Sequence, residues 1–489
     1  MRLRRHTVRA RLFIVLVLTV LIAGCNPAQN TTGGTPKTLR VLGDAYFLDL
    51  YNAVFAVTHP DAEIEFIDIN RAREDAFQAF QRDAANNPGG ETSGPGAFNE
   101  LKLYEQLLSG PEAPDVVVLN SDLLASLSQS GFLAPLDGYV EKDKFPLDRL
   151  APSLVEALRD LGDGTLYGLA PTFNAVALAY NKDRFDELNL PYPTDDMTWS
   201  ELFDLAESLT GEKNGQPVAG LSIGSLGDLL NFAEFLLQQK GVRLLSDDGK
   251  PQPIDTPERR DVWTNVVDLE RRGVITRPYY ERLEEMNKQG ATGGAKVIPR
   301  MHPFEDDDLL SGRAAMKFVR PTDLDQLQGV LSGRYNFMFN DETWQPPSFA
   351  WDIAAVPVDP DHPDVGGPVD IYQIFAVNAN SAQPELAWTY IREAMSEKVA
   401  KSLRTKSYMS ELNAYVDFNK RPEFADIHFD AFWLRKPPSP VGQYQEQYYQ
   451  IQSILRSAMD QVRRQNASVD EALRQAEQNV QATPGGGSR

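Results

Sequence analysis

Residue types suited to metal or redox chemistry are few and scattered in this sequence of 489 residues. None of its five histidines has a partner at i, i+4 spacing, so a helical zinc site is not expected. The acidic run Glu305 to Asp308 lacks the alternating ligands and the glycine of a calcium loop, and we interpret it as a solvated charge run. We therefore predict no metal, no cofactor and no catalytic residue.

Two kinds of side chain leave alternatives open. The pairs Tyr279-Tyr280 and Tyr448-Tyr449 could supply phenolate ligands to ferric iron, although adjacent tyrosines more often fill a surface groove. The 69 acidic residues also permit a carboxylate pair for glycoside hydrolysis, but nothing in the sequence marks one pair out. Binding is therefore favoured over catalysis.

The elements that would position a site alternate between strands and helices. Leu39 to Gly43 is predicted as a strand, Leu48 to Ala56 as a helix and Glu63 to Ile69 as a second strand. Ala113 to Leu119 is predicted as a buried strand, followed by a helix from Leu123 that Ser121 or Asp122 would cap. This order indicates an α/β fold with a parallel sheet.

Further along the chain, the helix signals are capping boxes. Thr198 to Glu201 and Ser468 to Glu471 both place a hydroxyl at the cap and a glutamate three residues later. The second box opens a helix predicted over Ser468 to Val480, and another helix is predicted over Ser381 to Met395. Residues 241–260 and 284–310 are polar with little periodicity and are predicted to be loops.

One predicted strand, about a third of the way along the chain, begins with an unusual set of residue types. Pro171-Thr-Phe-Asn174 precedes an uninterrupted apolar run, Ala175 to Tyr180, that has the length of a buried strand. A proline, two hydrogen-bonding side chains and an aromatic ring are unusual at such a start. The residue pattern by itself does not account for this start.

The N-terminal residues predict export. Five arginines between Arg2 and Arg11 precede the apolar run Leu12 to Ile22, which is too short for a comfortable membrane span. Leu21-Ile-Ala-Gly24 then leads to Cys25, the only cysteine. This stretch resembles the lipobox of bacterial lipoproteins and implies that Cys25 is lipidated; an ordinary signal peptide with an incidental cysteine is the alternative.

Charge also limits the partners. The formal net charge is −21, and loss of residues 1–24 with their five arginines would lower it to −26. An acidic surface repels nucleic acid, so no nucleic-acid partner is predicted.

A series of motifs in one order carries a resemblance. The motifs are Asp163 to Gly168, Tyr180 to Asp183, Pro114 to Val118, Ser130 to Asp137, Pro191 to Pro193, Thr198 to Leu202, Gly312 to Met316, Trp351 to Pro357, Gly366-Gly367, Pro384 to Trp388 and Val469 to Ala476. In these motifs the sequence resembles the extracellular solute-binding protein family 1 of ABC transporters, the maltose-binding-protein-like, carbohydrate-type group. Together they run from about residue 38 to residue 482.

The resemblance implies a two-lobe periplasmic-binding-protein-like fold of type II, in which two α/β lobes are joined by a multi-segment hinge. Ligand would bind between the lobes, and the closed form would present itself to an ABC permease. The expected segments are a lipoprotein signal peptide (1–24), a flexible tether (25–37), an N-terminal lobe (38–169 and 375–425), a C-terminal lobe (170–374 and 426–482) and a disordered tail (483–489). A monomer anchored outside the cytoplasm by lipidated Cys25 is expected.

The family resemblance and the rule that ligands collect where strands end give a set of cleft candidates. The expected ligand-binding residues are Asp44, Tyr46, Asn120, Thr172, Phe173, Asn174, Arg320, Asp370, Tyr372 and Tyr444. The resemblance implies that Pro171 to Asn174 cross between the lobes, and that Thr172, Phe173 and Asn174 are exposed there and face ligand from the floor of the hinge. It also implies that Ala175 to Tyr180 is the central strand of the second lobe. Tyr444 stands where a tryptophan would stack more strongly, which makes a maltodextrin less favoured than another sugar.

Each candidate also has a purely structural interpretation. Asp44 could cap the helix that follows it, and Asn120 could be a helix-cap turn. Arg320 could pair with a surface acid, and Phe173 and Tyr372 could belong to the core.

The predicted function is a lipid-anchored receptor that captures a sugar for an ABC importer. The alternatives are an exported carbohydrate-active enzyme and a receptor of the same fold for a non-sugar solute.

Overall fold

The computed structural model describes residues 37–86, 99–246, 248–277, 304, 306–334, 347–404, 411–439 and 444–482. The predicted signal peptide, nearly all of the tether with Cys25, the tail and Tyr279-Tyr280 lie outside these residues. The described residues from Thr38 onward belong to one structural unit. No helix within the described ranges is both long and apolar enough to cross a membrane.

Strands and helices alternate along most of the chain, as the sequence predicts. The strands are β1 Lys37–Gly43, β2 Ala62–Asp68, β3 Val116–Leu119, β4 Gly168–Leu169, β5 Thr172–Ala175, β6 Ala177–Asn181, β7 Gly211–Lys213, β8 Gln216–Ser222, β9 Ala314–Val319, β10 Trp351–Ala354, β11 Val369–Asp370, β12 Ile374–Val377 and β13 Leu412–Asn413. The helices are α1 Ala45–Thr58, α2 Ile69–Asn86, α3 Glu100–Ser109, α4 Ser121–Gln129, α5 Asp137–Asp143, α6 Pro152–Asp160, α7 Lys182–Leu188, α8 Trp199–Leu209, α9 Leu229–Gln239, α10 Pro257–Arg271, α11 Pro321–Leu331, α12 Pro384–Ala394, α13 Glu397–Arg404, α14 Gln445–Arg463 and α15 Val469–Ala482.

The first sheet has the order β2-β1-β3-β12-β4. Strands β1 and β3 are parallel, with Leu42 opposite Val117, and β12 returns antiparallel to β3, with Ile374 opposite Leu119. The parallel pair follows from the predicted strand–helix–strand order, since a helical crossover brings the second strand back in the same direction. The carboxyl ends of β1 and β3 and the amino end of β12 therefore share one edge.

The second sheet has the order β10-β6-β9-β8-β7. Strand β6 pairs antiparallel with both β9 and β10, and β8 pairs parallel with β9. The predicted central strand over Ala175 to Tyr180 is corrected on two points. The run is divided at Val176, where β5 ends and β6 follows, and β6 lies next to the edge strand β10.

A third, three-stranded sheet has the order β11-β5-β13. Along the chain, β5 lies between β4 of the first sheet and β6 of the second, and β11 lies between β10 and β12. Both connections between the two large sheets therefore pass through this small sheet, which we call the hinge sheet. The residue boundaries of the two lobes stay a prediction.

The buried residues form two clusters, and alternate side chains of β6 belong to different clusters. Ala177 and Ala179 belong to the cluster that includes the first sheet, and Leu178 and Tyr180 belong to the cluster on the other face of the second sheet. Alternate side chains of a strand point to opposite faces, so one short strand contributes to both cores.

Helix caps account for several element starts. Both predicted capping boxes are present, at Thr198 with Glu201 and at Ser468 with Glu471. The predicted loop over 241–260 is wrong at its end, because Thr256 caps α10 and Pro257 is its first residue. Most of the predicted loop over 284–310 lies outside the described residues.

Candidate functional site

The polar residues of the candidate site start at the shared edge of the first sheet. Gly43 ends β1, and a Cβ there would lie 2.7 Å from Leu48 Cδ1 and 3.3 Å from Val118 Cβ. Glycine thus allows α1 to start close against the sheet. Asp44 follows β1 and Asn120 follows β3, so the parallel pairing brings these two predicted site residues to the same edge.

Asp44 caps α1, as its structural interpretation proposed. Its Oδ1 accepts a hydrogen bond from the Tyr46 amide at 2.8 Å, and its Oδ2 accepts one from Asn70 Nδ2, also at 2.8 Å. Both carboxylate oxygens are therefore oriented by the protein. Each oxygen keeps acceptor capacity, since an ionised carboxylate has about four lone-pair sites.

Asn120 caps α4, and the predicted cap at Ser121 or Asp122 is wrong. Asn120 Oδ1 accepts from the Leu123 amide at 2.9 Å, while Ser121 is the first helical residue. The Ser121 amide and Oγ both donate to the Ile371 carbonyl, at 3.2 and 3.3 Å. This contact holds Tyr372 beside Asn120 at the edge of the first sheet.

Thr172, Phe173 and Asn174 are all buried, so the expectation that these three residues are exposed at the hinge is wrong. They lie in β5, the middle strand of the hinge sheet, where β13 and β11 cover both edges. Phe173 is 0% exposed and belongs to the core, which leaves no ring surface for a ligand. Thr172 Oγ1 donates to Glu411 Oε2 at 2.8 Å. Ligand contact by Thr172 or Asn174 stays a prediction.

Arg320 and Asp370 are brought together as an ion pair. Arg320 Nη2 lies 2.8 Å from Asp370 Oδ2, and both side chains are about one-third exposed. Asp370 is also the register partner of Asn174 across the β11–β5 pair. The structural interpretation of Arg320 as an ion-pair partner is therefore confirmed, with another predicted site residue as its acid.

Large exposed aromatic rings stand at the same edge. Tyr46, in the first turn of α1, is 82% exposed, and Tyr372, which precedes β12, is 54% exposed. The interpretation of Tyr372 as core is therefore wrong. Polyols bind by stacking their apolar ring faces on such side chains, with hydroxyl groups satisfied by nearby carboxylates and amides.

Tyr449 is an exposed ring that the sequence analysis did not place in the site. It lies in the first turns of α14 and is 60% exposed. Burial and then the negative charge of Asp122, on α4, raise the pKa of the Tyr449 phenol. The phenol therefore lies within electrostatic range of α4, although α14 itself packs in the second core cluster. The adjacent tyrosines Tyr448-Tyr449 were the available signal, but they were interpreted as iron ligands or as side chains that fill a surface groove.

Tyr444 lies at the start of α14, and part of its ring surface is covered by neighbouring residues. A Cβ on Gly249 would meet its ring carbons at 2.4 Å, so the ring lies directly against that glycine. Gly249 has a φ of +76°, which also favours glycine. Tyr444 is packed against the second core cluster and is not one of the freely exposed rings.

The interpretation of the acidic run as a solvated charge run is wrong for its last two residues, whereas Asp306 is exposed and Glu305 lies outside the described residues. Asp307 and Asp308 are each 8% exposed. Asp307 Oδ2 pairs with Lys317 Nζ at 2.7 Å, and Asp308 Oδ2 accepts from Ser222 Oγ at 2.9 Å. Burial disfavours the charged form of Lys317, but the attraction of Asp307 and then Asp323 outweighs burial and raises the pKa of Lys317. Among the described residues, no cluster of three metal-ligating side chains is present.

One nucleophile motif escaped the sequence analysis. Gly220-Leu-Ser222-Ile-Gly224 spells G-x-S-x-G, the pattern of a hydrolase nucleophile elbow. Ser222 ends strand β8, is buried and donates its hydroxyl proton to Asp308. A nucleophile elbow needs an exposed Oγ beside a histidine, and the hydroxyl is here engaged by a buried carboxylate.

Comparison with known proteins defines the class. Residues 73–401 match the family described as Bacterial extracellular solute-binding protein, and the chain belongs to this family. A Putative binding protein of Brucella abortus is 29% identical over 209 residues, which are 40% of this chain and 47% of that protein. An Uncharacterized lipoprotein of Streptomyces antibioticus is 28% identical over 218 residues, which are 42% of this chain and 40% of that protein. The chain thus matches about half the length of these relatives.

Solved structures share the fold. A sugar transporter of Rhizobium etli in an open conformation is 20% identical, with a TM-score of 0.61 over 91% of this chain and 100% of that one. The sugar-binding protein MalE of Xanthomonas citri is 17% identical, with a TM-score of 0.59 over 91% and 96%. The fold is therefore that of two-lobe periplasmic binding proteins, as expected from the resemblance.

Proposed function

We propose that this protein captures a sugar or oligosaccharide between its two lobes and delivers it to an ABC permease. The observation that carries the proposal is the pair of exposed tyrosines Tyr46 and Tyr372 at the sheet edge that also holds the helix-capping side chains of Asp44 and Asn120. The exposed ring of Tyr449, which senses the charge of Asp122 on α4, is included in the proposed site. Family membership supports a solute-binding role, and sugar-binding relatives of the same fold support the ligand class.

The chemistry of the site suits a neutral polyol. Asp44 and Asn120 are fixed by their capping bonds, so they offer oriented oxygens without a further loss of side-chain freedom. Tyrosine rings supply apolar stacking surface at a low conformational cost, since only two side-chain dihedrals are fixed. Arg320 would reach a ligand only by sharing its guanidinium with Asp370, because the two are already paired.

The same proposal includes the location and the partners. The arginine-rich start, the apolar run and Cys25 support a lipid anchor outside the cytoplasm, and one relative is named a lipoprotein. We propose that the mature protein is a monomer that meets the permease transmembrane subunits in its closed form. The lobe boundaries near residues 170, 375 and 426 belong to this proposal.

A thermal-shift panel tests the ligand class. The full chain is heated with neutral mono-, di- and trisaccharides, amino acids and short peptides, each at the same concentration. At least one sugar is expected to raise Tm, because a ligand that binds only the folded state stabilises it by mass action. A shift with amino acids or peptides and none with any sugar would contradict the sugar assignment.

Product analysis separates binding from turnover. Any sugar that raises Tm is incubated with the protein and recovered by chromatography. The proposal expects the sugar to be recovered unchanged. Release of shorter products that scales with protein concentration would favour the exported-enzyme alternative.

A lipid-labelling experiment tests the anchor. Cells that express the protein are fed labelled palmitate, and a Cys25→Ser variant is the control. Label in the wild type that is absent from the variant is expected. Equal label in both would contradict anchoring at Cys25.

A further inference from the structure

A cavity lies at one edge of the second sheet, remote from the candidate sugar site. Its volume is about 480 Å³, within the range of small-molecule sites. It is formed by the end of β6, the β7–β8 hairpin, the segment that leads into β9 and the segment before β10. We call it the edge pocket.

Strand directions separate the edge pocket from the hinge. In the antiparallel β6–β9 pair, Ala177 lies opposite Val319, which places Arg320 at the hinge end of the sheet. Asn181 lies at the other end of β6, opposite Trp351. The five residues of β6 span about 17 Å, so the edge pocket and the hinge are at opposite edges.

A buried cation with incomplete hydrogen bonding lines the edge pocket. Arg184 is 6% exposed, with Nη1 at 3.3 Å from Glu187 Oε2 and Nη2 at 3.4 Å from the Leu209 carbonyl. Its Nε has no hydrogen-bond partner within the described part of the chain. A buried guanidinium donor without a partner is costly, and a bound oxyanion would satisfy it.

Two further cations line the same cavity. Lys213 Nζ lies 2.8 Å from Glu187 Oε2, so a single carboxylate serves both Lys213 and Arg184. Hydrogen bonds from Lys213 and then Arg184, opposed by burial, lower the pKa of Glu187. Arg313 Nε lies 3.3 Å from Asp308 Oδ1. Glu187 and Asp308 do not line the pocket, whereas all three cations do.

The remaining lining favours a small organic anion. Among the lining residues that the structure describes, the one carboxylate is Asp183, whose Oδ1 already accepts from the Ala350 amide at 3.2 Å. Neutral hydrogen-bonding side chains and apolar walls surround the cations. They are Asn181, Gln216, Ser311, Ser348, Pro217 and Phe349.

We propose that the edge pocket is a second ligand site, which binds a small solute through a phosphate or carboxylate group. Arg184 and Lys213 hold the oxyanion, and Arg313 adds a third positive charge to the lining. A phosphate group and a carboxylate share the geometry that a guanidinium recognises, so the test includes both. The site is independent of sugar binding between the lobes.

Thermal unfolding of the full chain in phosphate, in succinate and in sodium chloride at equal ionic strength tests the edge pocket. Equal ionic strength removes general screening of this acidic protein as a cause. At least one of the two oxyanions is expected to raise Tm above its value in chloride. Equal Tm in all three salts would overturn the proposal.

Variants locate the effect. Lys213→Gln is expected to weaken binding of the stabilising oxyanion about tenfold, measured by calorimetry, because one charge-assisted contact is lost. Lys142→Gln is the matched control, since Lys142 also pairs with a glutamate, Glu385, at 3.0 Å. Unchanged affinity in Lys213→Gln, or equal losses in both variants, would overturn the assignment.

A third variant probes the unpartnered donor. Arg184→Lys keeps the positive charge but removes Nε, and is expected to bind the oxyanion at least tenfold more weakly if it folds. Affinity equal to wild type would contradict the role of Arg184. If this variant does not fold, Lys213→Gln still decides the proposal.

Discussion

Tyr372 keeps half of its ring exposed at the end of a connection that is otherwise tied down. Its neighbour Ile371 is buried and accepts two hydrogen bonds from Ser121, so the backbone that presents the ring is held in place. A fixed backbone beneath an exposed aromatic ring is the arrangement expected of a stacking residue, because ligand binding then costs little further conformational entropy.

Substitution of this ring tests stacking. Tyr372→Ala is expected to weaken the stabilising sugar about tenfold, near 1.4 kcal/mol, and to leave the stability of the ligand-free protein within about 0.5 kcal/mol. Calorimetric titration and urea unfolding measure the two quantities. Phe77→Ala, on the half-exposed ring of α2, is the control and should not change affinity. Equal affinity of Tyr372→Ala and wild type would remove Tyr372 from the site.

Asp44 combines a capping role with its proposed ligand role, and two variants separate them. Asp44→Asn retains a good cap, whereas Asp44→Ala loses it and should lower the free energy of unfolding by about 1 kcal/mol. Both variants are expected to bind sugar more weakly than wild type, because the carboxylate is lost in each. Normal affinity in Asp44→Asn would show that Asp44 is a helix cap alone.

At the scale of elements, the hinge sheet depends on the buried ring of β5. Phe173 is fully buried beneath strands that arrive from distant parts of the chain. Phe173→Ala is expected to cost about 3–5 kcal/mol of unfolding free energy, measured by urea unfolding, because it leaves a cavity in the core. A loss below about 1 kcal/mol would contradict the burial described here.

The last helix makes stability depend on pH. Hydrogen bonds from the Ser468 backbone and side chain lower the pKa of Glu471 below its ordinary value of 4.5. The stabilisation is therefore present above pH 4.5 and is lost as the pH falls through the lowered pKa. When the pH is lowered from 6 to about 3.5, the Tm of Glu471→Gln should therefore fall less than the Tm of the wild type.

A matched substitution controls this pH effect. Glu63→Gln changes an exposed glutamate on β2 that takes no part in a cap. Its loss of Tm between the two pH values should equal that of wild type. If Glu471→Gln also matches wild type, the cap does not contribute to the acid sensitivity.

At the scale of the whole molecule, local patterns predicted the order of elements better than the exposure of side chains. Strand ends at Gly43 and Leu119 placed Asp44 and Asn120 correctly at one edge, because the parallel direction of β1 and β3 follows from a helical crossover. The burial of Phe173 depends on Leu412, its partner in β13, more than 200 residues further along the chain. No local pattern contains that contact.

The same limit explains the other differences. Asp307 and Asp308 are polar in sequence, but their pairing with Lys317 and Ser222 allows them to be buried. The sequence did not indicate Tyr449 as a site residue. Its proximity to Asp122 on α4 depends on how α14 packs in the second core cluster. Candidate residues could thus be predicted from strand ends, whereas their roles required the tertiary structure.

The proposed site can be tested by a crystal structure of the protein with the sugar that most raises Tm. We expect electron density for the sugar between the lobes, stacked on at least one of Tyr46, Tyr372 and Tyr449 and within hydrogen-bond distance of Asp44 or Asn120. Density for an intact sugar at any other place on the molecule, with these residues untouched, would contradict it.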